Sequence, residues 1–111
     1  MSDMMSNRRK APRYPIILPA EVVTLSDGTR LTARTSDLSR TGCYVDTLNP
    51  LPSGFAIRIN LVRGVERFEV QGTVKYVSPG MGMGIQFEEQ IPASQLAILD
   101  SWLEAAAKQP A

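Results

Sequence analysis

Between Tyr14 and Phe87, apolar side chains recur at every second position in short runs separated by turn residues. That period admits little but β-strands with one buried face. The run from Tyr14 to Leu25 is rich in β-branched residues, and Pro15 and Pro19 assign it to a sheet edge, a bulge or a barrel rim. Ser26-Asp27-Gly28 is a hairpin signal, because Asp-Gly suits a turn with positive φ. Leu31, Ala33 and Thr35 then alternate along a returning strand, until Asp37 to Gly42 breaks the alternation. Cys43, Val45 and Thr47 mark a third strand, and Asn49 to Gly54 is a loop by composition. Phe55, Ile57, Ile59 and Leu61 share one face of a fourth strand, which ends at a tight turn over Arg63-Gly64. In the fifth, Phe68, Val70, Val74 and Tyr76 are expected to point inward, with Gly72 marking a bend or a close backbone approach. Met83, Ile85 and Phe87 form the sixth, after a turn at Ser78-Pro79-Gly80.

Past Glu89 the period changes. Leu96, Leu99, Leu103 and Ala106 recur at helical spacing, with Ile98, Trp102 and Ala105 widening the stripe. Pro92 suits the first turn of such a helix, Lys108 complements its dipole, and Pro110 closes it off. Trp102 is expected to pack on the strands. The reading is therefore all-β with a C-terminal helix: a six-stranded antiparallel β-barrel whose helix covers an end or a side. It divides the chain into a flexible basic segment over 1–13, the barrel over 14–89 and the helical segment over 90–111.

At 111 residues the chain is long enough for one modest core. A net charge of +1 offers no global attraction to a long polyanion. No apolar run approaches the ~20 residues that span a bilayer, and the N-terminus lacks the apolar core of a signal peptide. A single cysteine, Cys43, excludes an internal disulfide and fits a reducing compartment. A cytoplasmic protein is expected. The sequence has no histidine, which removes the usual metal ligand and the usual general base together. Cys43 without a histidine is a poor nucleophile and reads as a small strand residue. Glu88 and Glu89 read as solvated surface. No phosphate-cradling glycine motif occurs. These absences point away from an enzyme, with no catalytic residue and no metal.

The basic charge is local instead. Arg8, Arg9, Lys10 and Arg13 place four of the twelve basic residues in six positions. Arginine suits phosphate because its planar fork donates two parallel hydrogen bonds, and the same fork matches the edge of guanine. Pro12 presets the backbone ahead of Arg13. The second element is Asp37-Leu38-Ser39-Arg40-Thr41-Gly42. Its Asp and Ser can bond nearby amides, and its Gly permits positive φ or close approach. Such a stretch is a turn by its own chemistry and also what a ligand loop needs. A carboxylate there can accept from a guanine edge or hold an arginine.

In order and spacing the two elements resemble the signature of the PilZ domain, a bacterial receptor domain for cyclic di-GMP. Arg9 and Arg13 match its Arg-x-x-x-Arg, and Asp37, Ser39 and Gly42 match its Asp-x-Ser-x-x-Gly. Gly82-Met83-Gly84-Ile85-Gln86-Phe87 is similar to the glycine-bearing closing strand of such domains. The resemblance implies that Arg9 and Arg13 clamp the phosphates and a guanine of cyclic di-GMP, with Asp37 and Ser39 on a guanine edge and Gly42 allowing close approach. It also implies that Arg8 accompanies an intercalated ligand dimer. The expected function is a second-messenger receptor that changes shape on binding and signals to a protein partner. The alternative is a PilZ-like interaction module that binds no nucleotide. A barrel for single-stranded nucleic acid is disfavoured, because Phe55, Phe68, Tyr76 and Phe87 are assigned to the core and leave few aromatics for stacking.

Overall fold

The computed structural model describes residues 11–109. Its strands are β1 (Pro19–Thr24), β2 (Arg30–Leu38), β3 (Gly42–Asp46), β4 (Ala56–Arg63), β5 (Glu66–Ser78) and β6 (Gly82–Phe87), followed by helix α1 (Ala93–Ala107). They close into a barrel in the order β1-β2-β3-β6-β5-β4, with every neighbouring pair antiparallel. Closure leaves no unpaired edge, which suits a small sheet that must avoid association through its strands. The expected six-stranded barrel with a C-terminal helix is the fold observed.

Alternation accounts for the core. Val22, Val45, Ile57, Ile59, Leu61, Phe68 and Met83 are inaccessible to solvent, each from the inward phase of its strand. The β1–β2 hairpin turns as its sequence predicts. Gly28 takes φ +74°, while the Asp27 carboxylate accepts from the Thr24 hydroxyl and the Thr29 amide. Those bonds, the one from Thr24 foremost, hold the Asp27 carboxyl below the usual carboxylate range. Gly72 marks a close approach, since a Cβ there would meet the Gln86 carbonyl oxygen at 2.5 Å.

Helix α1 docks beside β5 and buries Leu99, Trp102 and Leu103 in the same core. Trp102 meets Phe68 edge-on, with centroids 6.3 Å apart, and its indole N–H donates to Glu66 Oε1 over 2.6 Å. One side chain thus fills the seam and satisfies its polar atom. Pro92 stands one position ahead of the helix, at the N-cap, and Lys108 is the C-cap. Pro110 lies outside the described residues.

Two strands depart from simple alternation. β2 and β3 pair Thr35 with Val45 but Asp37 with Tyr44, so Ser36 is an extra residue. β5 and β6 pair Val74 with Ile85 but Tyr76 with Gly84, so Lys75 is extra. Each extra residue inverts the side-chain phase beyond it. Beyond Ser36, Asp37 therefore faces out and Leu38 faces in, fully buried. Beyond Lys75, Tyr76 faces out and is 49% exposed, which corrects its assignment to the core. Phe55 is also exposed, because it precedes β4, in the loop where its amide bonds the Pro52 carbonyl.

Candidate ligand-binding site

The segment ahead of β1 is tied to β2. Tyr14 and Leu38 exchange both backbone hydrogen bonds, each 2.9 Å. The Thr35 hydroxyl, wholly buried, donates to the Ile16 carbonyl and accepts from the Leu18 amide. These bonds fill the ladder positions around the Ser36 bulge and fix where the segment runs. As a result Arg13 Nη1 stands 3.0 Å from Asp37 Oδ1, an ion pair joining the two sequence elements across 24 positions. Both side chains remain partly open to solvent, at 44% and 31%. Arg8 and Arg9 lie outside the described residues.

Ser39 and Gly42 sit differently. Ser39 is buried, and its Oγ accepts from the amides of Thr41 and Gly42 while donating to the Gly42 carbonyl. Its hydroxyl is engaged inside the turn. Gly42 makes room, but the room is taken by β6: a Cβ there would collide with the carbonyl oxygen of Ile85. Arg40, between them, reaches the other way and bonds Asp100 of α1 through two nitrogens at 3.0 and 3.3 Å. The turn therefore holds β3 against β6 and anchors the helix, and from this loop it is Asp37 that meets Arg13.

Beside the ion pair lies an open cleft of about 320 Å³, lined by Arg13, Thr41, Gly42, Lys75, Tyr76, Gly84, Ile85 and Gln86. Its floor is the outer face of β3, β6 and β5. Arg13 and Lys75 give it positive charge and Tyr76 an aromatic wall, a set that suits a flat, anionic ligand. Sequence reasoning places Tyr76 in the core and gives Lys75 no role at a site; only the register shift between β5 and β6 after Val74 brings both to this surface. Among the described residues no group of carboxylates and thiols is arranged to hold a metal ion, and no helix is long and apolar enough to cross a membrane. Cys43 is buried behind the site, and loss of hydration raises its thiol pKa well above the ordinary value.

The family profile of the PilZ domain matches residues 7–105. No curated protein sequence matches the chain. Among solved structures, the PilZ domain of CeSA from a cellulose-synthesising bacterium is 21% identical with a TM-score of 0.66, over 86% of this chain and 97% of that one. The PilZ domain of YcgR from Escherichia coli, solved with c-di-GMP, is 19% identical with a TM-score of 0.73, over 91% and 92%. The Bacillus subtilis inhibitor of motility, MotI/DgrA, is 16% identical with a TM-score of 0.73, over 94% of this chain and 54% of that one.

Proposed function

The chain belongs to the PilZ domain family, and from that premise we propose that it is a cytoplasmic receptor for cyclic di-GMP, without catalytic activity, that signals to a protein partner. The observation that carries the reading is the Arg13–Asp37 ion pair at the lip of the cleft. A guanidinium has five donors and a carboxylate about four acceptor positions, so the pair can orient itself and still engage a ligand. Arg13, with Arg9 before it, takes the phosphates and a guanine face, and Arg8 accompanies an intercalated ligand dimer. Asp37 accepts from the N1–H and N2–H₂ edge of a guanine. Ser39 and Gly42 act one step back, by shaping the turn that presents Asp37. Bringing a phosphate to this cluster neutralises the basic charge ahead of Arg13 and draws it toward the Arg13–Asp37 pair, which changes the surface that a partner meets.

The test is calorimetric titration of the chain with cyclic di-GMP, with guanosine monophosphate as control. Saturable binding of the cyclic dinucleotide is expected. Heats indistinguishable from dilution would overturn the receptor reading and leave the interaction module. Amide hydrogen exchange over residues 7–13 checks the coupled step: exchange should slow on saturation, and equal exchange in free and saturated protein contradicts it.

A further inference from the structure

Among the described residues, three buried polar side chains interrupt the hydrocarbon core: Thr24, Thr35 and Ser39. Thr24 serves the β1–β2 turn and Ser39 the turn before β3. Thr35, fully buried in mid-strand, serves the segment ahead of β1. Its hydroxyl donates to the Ile16 carbonyl over 2.8 Å and accepts from the Leu18 amide over 3.0 Å, and its own amide bonds the Leu18 carbonyl at 2.9 Å. The segment it holds cannot build a regular ladder. Pro15 and Pro19 have no N–H to donate, and the Ile16 amide is turned back onto the Tyr14 carbonyl, 2.8 Å away. Between the Tyr14–Leu38 bridge and β1, a side chain therefore takes the place of a strand partner. Valine would fill the same space and suits a buried strand position, but it would leave the Ile16 carbonyl and the Leu18 amide without these bonds.

We infer that Thr35 is a positioning residue for the ligand site: it touches no ligand, but its hydroxyl seats the segment from Tyr14 to Leu18 and so sets where Arg13 stands. This rests on the receptor reading above. Arg13 comes one residue before the Tyr14–Leu38 bridge, and Asp37 lies between that bridge and Thr35. Both halves of the Arg13–Asp37 pair therefore hang from the stretch that these bonds tie together. A segment seated only part of the time binds with an affinity reduced by the seated fraction. The rival reading is that the hydroxyl satisfies two buried backbone groups and contributes to folding alone.

A double-mutant cycle decides between the two: cyclic di-GMP titrations of the wild type, Thr35→Val, Arg13→Ala and the double variant, with melting curves run on each. At a temperature where it is folded, Thr35→Val should bind about tenfold more weakly, the loss expected when the seated fraction drops to about a tenth. Thr35→Ser, which keeps the hydroxyl, should recover most of that loss. In the Arg13→Ala background, Thr35→Val should cost about twofold or less, because the side chain that Thr35 positions is gone. Equal fold losses in both backgrounds, or wild-type affinity in a folded Thr35→Val, overturn the positioning role while leaving the receptor reading standing. A second measurement needs the wild type alone. Binding that requires a seated segment must in turn hold it seated, so exchange of the Leu18 amide should slow on saturation with cyclic di-GMP. An unchanged Leu18 rate overturns the positioning role, however the valine variant folds. A wild type that binds no cyclic di-GMP overturns both.

Discussion

Arg13 and Asp37 are half-exposed, so their ion pair adds little to folding: surface pairs contribute about 0–1 kcal/mol. Arg13→Ala should leave the melting temperature nearly unchanged and cost about 2 kcal/mol or more of cyclic di-GMP binding, which calorimetry on the variant measures. Ser39 should behave in the opposite way. Its buried hydroxyl accepts from two amides, and alanine takes that acceptor away from them at about 1–3 kcal/mol, seen as a lower denaturation midpoint. Cys43 yields a pH dependence. Burial foremost, with the Asp37 charge second, raises its thiol pKa in the folded chain, whereas unfolding returns it to an ordinary value of 9.0. A raised pKa gives stability that is full below the unfolded value and is lost as pH rises above it. The unfolding free energy from denaturation curves should therefore fall above about pH 9, by up to about 1.4 kcal/mol per pH unit from this group. Replacing Cys43 with alanine should remove that slope.

The strands tolerate change according to what lies over each glycine. At Gly42 the obstacle is the Ile85 backbone, which cannot move without breaking the β3–β6 ladder. At Gly84 it is the outer ring of Tyr76, which can swing into solvent. Gly42→Ala should therefore lower the melting temperature far more than Gly84→Ala, a comparison that thermal denaturation makes directly. Equal losses would mean that the strand spacing, not the contacted atom, sets the cost. The helix buries its largest side chain at one point. Trp102 joins α1 to Phe68 and Glu66, and truncating it to alanine should cost about 3–5 kcal/mol.

Across the whole molecule, a ligand that binds only the folded barrel stabilises it by mass action, about 2.7 kcal/mol at a hundredfold excess over Kd. Cyclic di-GMP should raise the melting temperature of the wild type and leave that of Arg13→Ala far less changed. Strand number, helix position and most of the core were legible in the sequence because they follow from local periods: two residues per repeat in a strand, 3.6 in a helix. The paired motifs were legible because turn chemistry and arginine chemistry are properties of the residues themselves. Phe55 was misassigned because β4 begins one residue after it, at Ala56. Tyr76 was misassigned because alternation is counted along one strand, whereas a bulge exists only relative to the neighbouring strand. Nothing in Val74-Lys75-Tyr76 alone states that Lys75 has no opposite partner on β6. The sequence by itself determined the barrel and the residues able to meet an anion. Tertiary structure decided which of them share a surface, because closing the sheet set the registers that turn Asp37 and Tyr76 outward while turning Ser39 inward.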